Sequence, residues 1–335
     1  MSVAISAKKL SKTYKIHEKQ EGLKNSIKDF FNRRYTYKNA VNNLDMTIEK
    51  GEIVGLLGEN GAGKTTTLKM LTGILYPTSG EVSVLNYTPT HRKRDFLKKI
   101  AFVMGNKSEI NWDLPAVDTF RYQKLVYQVP DELYRKNLDM LSEMLNVKHL
   151  LNIQLRRLSL GERMKMELIN SFLYSPEVVF LDEPTIGLDL NSQLAIRKFV
   201  RDYREERKTT IIITSHYMDD IEETCDRVIL LSKGNKIFDG TMNEISGLYS
   251  SNKVLQLVFD QTINPNEFEK YGEIIEVKDN SLKLIIKKEQ YRDIVAELIN
   301  QNRNLVDISL TNIPFKNIIN QVMARDGDVN AEIPV

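Results

Sequence analysis

The segment "GENGAGKTT" at residues 58–66 has the residue types best suited to chemistry, and it directly follows the apolar run "EIVGLL". Its glycines let the backbone wrap closely around an anion, so that successive N–H groups point inward. Lys64 supplies a positive charge, Thr65 a hydroxyl for Mg²⁺, and a helix beginning near Lys64 presents its positive end. The spacing predicts a nucleotide phosphate site, the alternative being a glycine-rich turn without a ligand. The predicted residues are Gly58, Glu59, Asn60, Gly61, Ala62, Gly63, Lys64, Thr65 and Thr66.

Two adjacent carboxylates, Asp182 and Glu183, end a second apolar run in "VVFLDEP". Neighbouring side chains on a strand point in different directions, so one can hold Mg²⁺ while the other faces an attacking water. Acidic pairs at strand ends can also be helix caps or solvated turns. In a doubly wound sheet the strand tips form the ligand crevice, which predicts that this pair meets the phosphate loop there.

A histidine, His216, follows a third apolar run in "IIITSH". A neutral imidazole at a strand tip beside the phosphate site can bind the γ-phosphate or position the nucleophile. The alternative is that it only satisfies a local hydrogen bond. His17, His91 and His149 lie in no comparable motif.

Composition limits the class of protein that positions these residues. The chain has 335 residues, 41% of them hydrophobic, and a formal net charge of +2, so no global field favours nucleic acid as a partner. Its one cysteine, Cys225, excludes an internal disulfide and fits a reducing cytoplasm, where we expect a buried thiol. No apolar run approaches the roughly 20 residues of a membrane-spanning helix.

β-Branched runs alternate with amphipathic stretches, which predicts an α/β domain over residues 1–245. Helical periodicity predicts a helical subdomain at 106–176, and "RVILLSKGNKIFDG" a closing hairpin that turns at Gly234 and Asn235. A βαββαβ order at 252–325 predicts a small α+β ferredoxin-like domain that ends in the helix "FKNIINQVMAR". The polar tail, 326–335, is expected to be disordered.

The string "LSLGERMKMEL" at residues 158–168 makes a family resemblance specific. With the phosphate loop, "VVFLDEP", "IGLDL" and "TSHYMDDIE", it resembles the nucleotide-binding subunit of an ABC transporter over about residues 1–241. The resemblance implies a P-loop NTPase core of ABC type and an ATPase that uses ATP and Mg²⁺. It also implies that two such domains pack head to tail, with ATP between the phosphate loop of one and the signature of the other.

The resemblance also implies roles for individual residues. Asp182 would order Mg²⁺ with Thr65, and Glu183 would be the general base, with Lys64 and His216 completing the catalytic set. Ser159 and Gly161 would reach the γ-phosphate of the partner's nucleotide, and Asp189 would link the two sites. Tyr14 matches the aromatic residue that stacks on adenine, although an aromatic near a strand end is more often part of the core.

The sequence departs from the family pattern at three positions. Leu160 replaces a glycine and Glu162 a glutamine of the usual LSGGQ signature. Glu162 would bring a negative charge toward a partner's triphosphate unless it turns away or is neutralised. Asn106 stands where the family has a Q-loop glutamine, and its shorter amide predicts a weaker contact to Mg²⁺.

Two segments suggest contact with a membrane and a membrane partner. Within 17–40, one helical face is apolar and is surrounded by positive charge, as in an interfacial helix or in a helix packed on its own domain. The apolar residues are Leu23, Ile27, Phe30 and Phe31. This insertion resembles one in ABC subunits that export polysaccharide. Trp112 and Leu114 lie in the region that meets the transmembrane partner in the family, so both are candidate contacts. The alternative is that Trp112 belongs to the core of the helical subdomain.

The expected function is an ATPase subunit that powers export across the cytoplasmic membrane through a separate transmembrane permease. It would lie at the cytoplasmic face, as a homodimer or a heterodimer with a homologue. A soluble ABC ATPase that acts on a non-membrane machine would typically have two such domains or a long coiled coil, and this chain has neither pattern. A purely regulatory module would lack Glu183. The cargo is not encoded in a recognisable motif.

Overall fold

The computed structural model describes residues 2–17, 35–105, 107–247, 251–301 and 304–325. They form two compact units, Met1–Gly240 and Thr241–Val335. The strands are β1 (Val3–His17), β2 (Tyr35–Glu49), β3 (Ile53–Gly58), β4 (Ser79–Val84), β5 (Ile100–Met104), β6 (Val178–Asp182), β7 (Thr210–Thr214), β8 (Arg227–Ser232), β9 (Asn235–Thr241), β10 (Asn252–Phe259), β11 (Glu273–Lys278), β12 (Ser281–Lys287) and β13 (Leu305–Thr311).

The α-helices in the described part of the chain vary from single turns to the long helix after β6. They are α1 (Lys64–Leu71), α2 (Arg94–Leu97), α3 (Ala116–Tyr127), α4 (Asp131–Met144), α5 (Leu160–Phe172), α6 (Leu190–Arg207), α7 (Met218–Thr224), α8 (Met242–Gly247), α9 (Tyr291–Gln301) and α10 (Phe315–Arg325). Short 3-10 helices lie at Pro89–His91, Lys148–Leu150, Leu155–Arg157, Pro265–Tyr271 and Lys288–Gln290.

The main sheet of the first unit has the strand order β5-β6-β7-β3-β8-β9. Its neighbours from β5 to β8 pair in parallel. Every residue of β6 and β7 is buried, as expected where helices cover both faces of a parallel sheet. Gly58, Asp182 and Thr214 are the last residues of β3, β6 and β7. Because these strands are parallel, the three residues lie together at the carboxyl ends of the strands. The predicted α/β fold class is confirmed.

A second, antiparallel sheet with the order β2-β1-β4 was not predicted. Its buried face contributes Ile5, Leu10, Leu44 and Ile48 to the core of the first unit. Residues 35–40, which the sequence assigned to the 17–40 insertion, lie in β2, and His17 lies in β1. The predicted insertion is therefore too wide at both ends, because residues 35–39 are all exposed and show no alternation of buried and exposed positions that would indicate a strand. Residues 18–34 of the predicted insertion lie outside the described residues.

Helices α3, α4 and α5 occupy the stretch in which the sequence predicted a helical subdomain. Their junction with the sheet domain is aromatic. The ring of Phe172 in α5 meets Phe199 and Tyr203 of α6 edge to face, with centroids 5.1 and 4.6 Å apart. This geometry is favourable for aromatic pairs and fixes the end of α5 beside the helix that follows the carboxylate pair.

The second unit has an antiparallel sheet in the order β11-β12-β10-β13, which is the strand order of a ferredoxin-like fold. Its first connecting helix is a 3-10 helix, Pro265–Tyr271. The unit begins at Thr241, earlier than the predicted 252, because α8 packs against α10 and buries Ile245. The predicted disordered tail lies outside the described residues.

Two expectations from composition can be compared with the structure. Cys225 is buried, and burial raises the pKa of its thiol well above the usual value, as for an inert structural cysteine. No helix in the described part of the chain is both long and apolar enough to span a bilayer.

Candidate site for nucleotide binding and hydrolysis

The phosphate loop joins β3 to α1 through glycines that no other residue could replace without strain. Gly58, Gly61 and Gly63 have φ values of 156°, 84° and 107°, in the region that favours glycine. A Cβ on Gly63 would lie 2.4 Å from the carbonyl oxygen of Ala40, whereas a Cβ on Gly61 would meet no atom within 4 Å. The loop is therefore closely supported from behind at Gly63 and open at Gly61, as a cradle for an anion requires.

Lys64, the first residue of α1, is almost fully buried and is held by the loop itself. Its Nζ donates to the carbonyl oxygens of Gly58, at 2.7 Å, and Glu59, at 3.2 Å. Burial lowers the pKa of Lys64, and the nearby carboxylates Glu183 and Asp182 oppose that shift. The ammonium group is thus already positioned at the loop and partly desolvated.

Asp182 and Thr65 come together across the strand tips, as predicted for a metal site. The hydroxyl of Thr65 donates to Oδ1 of Asp182 at 3.1 Å, and the hydroxyl of Thr214 donates to the same oxygen at 2.8 Å. The described residues contain no group of three or more Asp, Glu, His or Cys side chains able to hold a metal. A divalent cation here would need phosphate and water oxygens as well, which is the usual arrangement for nucleotide-bound Mg²⁺.

Glu183 and His216 lie side by side at the tips of the neighbouring strands β6 and β7. Nε2 of His216 is 2.7 Å from Oε1 of Glu183, and both side chains remain partly exposed. An imidazole with its proton on Nε2 donates a hydrogen bond to this carboxylate. Glu183 has the unusual φ of 56°, and its backbone N–H donates to both the carbonyl and the hydroxyl oxygen of Thr214.

A cavity of about 250 Å³ brings these elements together. Tyr14 and Glu183 both line it, so the structure places the predicted adenine-stacking residue and the carboxylate around one space. Lys38 and Ala40 also line it and were missed from the sequence. Lys38 is the register partner of Tyr14 in the β1–β2 ladder, a relation that appears only once the two strands are paired. The lining residues are Tyr14, Lys38, Ala40, Asn60, Gly61, Gly63, Lys64, Thr65, Thr66 and Glu183.

The signature residues form a separate cluster. Ser159 caps α5 and Asp189 caps α6. A Cβ on Gly161 would lie 2.1 Å from Oγ of Ser192, so the two helix starts touch. Hydrogen bonds from the hydroxyl and N–H of Ser192 lower the pKa of Asp189 and keep it ionised. Within the described residues, none of Ser159, Gly161, Glu162 and Asp189 lines the cavity.

The unusual Glu162 turns back onto its own helix start. Its Oε2 accepts hydrogen bonds from the N–H of Ser159, at 2.8 Å, and from the Ser159 hydroxyl, at 2.9 Å, in a complete capping box. The carboxylate is therefore engaged locally, one of the two outcomes that the sequence left open. Leu160 is exposed, and Asn106 lies outside the described residues.

The segment that follows residue 106 is tied to α5 by a buried carboxylate, Glu167. Its Oε1 accepts from the hydroxyl of Ser108 and from the N–H groups of Glu109 and Ile110, at 3.0 and 3.3 Å. Burial raises the pKa of Glu167 although these hydrogen bonds oppose the shift. Further along, Trp112 is 50% exposed, and the guanidinium of Arg163 lies 4.6 Å from its ring centre, so Trp112 is not a core residue.

A parallel sheet with a phosphate loop, a carboxylate pair and a histidine at its strand tips defines a P-loop nucleotide hydrolase. The model of the ABC transporter family matches residues 41–186. The chain is 31% identical over 206 residues to the ABC transporter ATP-binding protein NatA of Bacillus subtilis, covering 62% of this chain and 83% of NatA. It therefore belongs to the ATP-binding proteins of ABC transporters, and it is an ATPase of that family.

Two other similarities concern the whole chain and the fold. An uncharacterized ABC transporter ATP-binding protein of Bacillus subtilis, YhcH, is 26% identical over 309 residues, which cover 88% of this chain and 94% of YhcH. That match extends through both compact units. The ATP-binding cassette MJ0796, whose dimeric post-hydrolysis structure holds ADP and Pi, has a TM-score of 0.57 at 22% identity, covering 71% of this chain and 98% of that one.

Proposed function

We propose that this chain hydrolyses ATP with Glu183 as the general base and His216 as its neighbour at the γ-phosphate, and that this powers export through a separate permease. The observation that carries the hydrolytic part of the proposal is the 2.7 Å contact between Glu183 and His216 beside a cavity lined by the phosphate loop. A carboxylate beside the loop can accept the proton of an attacking water, and the imidazole can hold its side chain toward that water.

Mg²⁺ is the metal that the oxygen ligands favour. The Thr65 hydroxyl and Asp182 Oδ1, 3.1 Å apart, would hold it beside the β- and γ-phosphates, where the cation offsets charge that develops during phosphoryl transfer. Lys64 would bind the same phosphates once its ammonium turns from the loop carbonyls. Tyr14, 37% exposed at the cavity wall, offers a ring face for the adenine base.

The functional unit we propose is a dimer with two shared sites. Ser159, Gly161 and Asp189 cluster away from the cavity of their own chain, so their proposed contact with ATP requires a second chain. The similar cassette MJ0796 is dimeric in its post-hydrolysis structure. The partner is a second copy or a homologous subunit.

The test of the hydrolytic proposal is Glu183→Gln, which keeps the shape of the side chain and removes its basicity. We expect ATP binding to be retained, steady-state hydrolysis to fall by at least about 100-fold, and an ATP-dependent dimer to accumulate in size-exclusion chromatography. Thr224→Val is the matched control, because Thr224 is a buried residue whose hydroxyl has no partner within the described structure. Unchanged turnover in Glu183→Gln would rule out Glu183 as the base.

The permease would dock on exposed apolar residues of the helical region, of which Trp112, Leu114, Tyr122 and Leu125 are candidates. Leu125 is 72% exposed, and aromatic and apolar residues of this kind commonly anchor interfaces. The amphipathic segment that the sequence predicts within residues 22–34 would contact the cytoplasmic membrane surface. This would make the subunit peripheral to the membrane.

The docking proposal can be tested by co-purification with a multi-spanning protein encoded beside this gene. Trp112→Glu should reduce recovery of the complex, whereas Ile299→Glu, at an exposed position of the second unit, should not. Deletion of residues 22–34 should weaken assembly or transport and leave ATP affinity intact. Normal assembly and transport with both Trp112→Glu and the deletion of residues 22–34 would contradict the proposed docking surface.

A further inference from the structure

A fully buried carboxylate, Asp220, lies behind the Glu183–His216 pair and belongs to α7. Its Oδ2 accepts hydrogen bonds from the hydroxyl of Ser215, at 2.5 Å, and from that of Thr185. Its Oδ1 accepts from Nε of Arg197 at 2.6 Å. Arg197 is only 4% exposed, so Asp220 has a buried counter-ion and hydrogen bonds to both carboxylate oxygens.

The two hydroxyl donors belong to the segments that carry the proposed catalytic pair. Thr185 is two residues after Glu183, and Ser215 immediately precedes His216. Both lie beyond the ends of β6 and β7, where the hydrogen bonds of the sheet no longer fix the backbone. Arg197 belongs to α6, the helix capped by Asp189, so one carboxylate joins three segments of the proposed site.

We propose that Asp220 is a positioning residue for hydrolysis, which sets the separation of Glu183 and His216 through the hydroxyls of Thr185 and Ser215. The inference rests on the proposed roles of Glu183 and His216. Reacting groups must be held to within about 0.5 Å, and a misplacement of about 1 Å can lower a rate by roughly 100-fold. Asp220 touches neither reacting group, so its effect should be on turnover rather than on binding.

The test uses Thr185→Val, which removes one hydroxyl, keeps the shape of the residue and leaves the Asp220–Arg197 pair intact. We expect kcat to fall by about 10-fold or more, with the KM and the affinity for ATP changed by less than about twofold. Thr185→Ser, which restores a hydroxyl, should recover most of the rate. Thr224→Val, on the same helix as Asp220, should leave kcat unchanged.

Ser215→Ala extends the test to a double-mutant cycle. Since Thr185 and Ser215 donate to the same oxygen, we expect the effects of Thr185→Val and Ser215→Ala on kcat to be clearly non-additive. Thermal melts separate this from general destabilisation, because a purely structural role would lower the melting temperature and spare kcat.

Two outcomes would overturn the positioning role. One is an unchanged kcat in Thr185→Val, and the other is a loss of rate that Thr185→Ser does not restore. Full turnover in Glu183→Gln would instead remove the proposed role of Glu183 as the general base, so the two failures are distinguishable.

Discussion

The backbone of Glu183 shows how a single residue can be strained at a functional position. Its φ of 56° lies in the left-handed region, which costs an ordinary residue about 1–2 kcal/mol. Two hydrogen bonds from its N–H to Thr214 hold that conformation. Strained backbone of this kind is often found where a side chain must point in one particular direction. The motif "LDEP" predicts the carboxylate but not this conformation, which depends on the neighbouring strand.

Lys38 lines the cavity from β2, where it is paired with Tyr14 of β1, so we expect its charge to affect ATP binding. Lys38→Glu replaces a positive by a negative charge beside the space proposed for a triphosphate. We expect the Kd for ATP to rise by roughly 10-fold at low salt and the difference to shrink as salt screens the charge. Equilibrium binding of a fluorescent ATP analogue at two salt concentrations measures both effects.

Lys8→Glu is the matched control for Lys38. Lys8 lies in β1 but does not line the phosphate-loop cavity, so this substitution changes the net charge equally without changing the site. Equal Kd values for the two variants would mean that Lys38 acts only through net charge, or not at all.

Glu162 has two effects at the start of α5: its side chain completes the capping box, and its negative charge lies beside Ser159. The substitution Glu162→Gln separates these two effects. Glutamine preserves the capping box, so the melting temperature should stay within about 2 °C of the original protein. It also removes a negative charge beside Ser159, so the ATP concentration needed for dimer formation should fall by roughly threefold. Glu162→Ala, which loses the cap, should destabilise the protein by about 1 kcal/mol. Unchanged or weaker ATP-driven dimerisation in Glu162→Gln would contradict the repulsion expected from the Glu162 carboxylate.

Glu167 connects α5 to the segment after residue 106, and we expect this connection to contribute to stability. Glu167→Ala would leave one hydroxyl and two backbone N–H groups without their acceptor, at a cost of about 3 kcal/mol in the free energy of unfolding. Denaturant unfolding can be followed by fluorescence of Trp112, the only tryptophan in the chain. Glu167→Gln keeps an acceptor oxygen and should cost less than half as much. Equal stability of both variants would show that the acceptor contributes nothing.

At the level of elements, the sequence predicted what local pattern encodes. Apolar β-branched runs identified the parallel strands, and helical periodicity identified α3 and α4. The β2-β1-β4 sheet was not predicted. Its two long strands are exposed on one face, and register shifts interrupt the alternation of apolar and polar residues. The early start of the second unit escaped for a different reason. The short helix α8 is polar in sequence apart from Ile245, which is buried where α8 packs against α10.

For the whole molecule, motif order predicted the family, but the proposed site extends beyond one chain. The sequence predicted Lys64, Asp182, Glu183 and His216 because each stands in a local motif at a strand tip. Lys38 and Asp220 were not predicted, because their positions near the site depend on strand pairing and helix packing between segments that are distant in sequence. The separation of the Ser159 cluster from the cavity is likewise a property of the fold, and it leads to the last prediction.

If two chains share each site, two inactive variants should complement each other. Glu183→Gln disables the phosphate-loop half, and Ser159→Asp places a charge at the signature half while remaining a good helix cap. In a mixed dimer, one site combines both defects and the other is intact. Equimolar mixing should therefore restore up to about a quarter of the original hydrolysis rate, since half of the dimers are mixed and each has one working site. Activity that stays at the level of the separate variants would contradict a shared site in a homodimer.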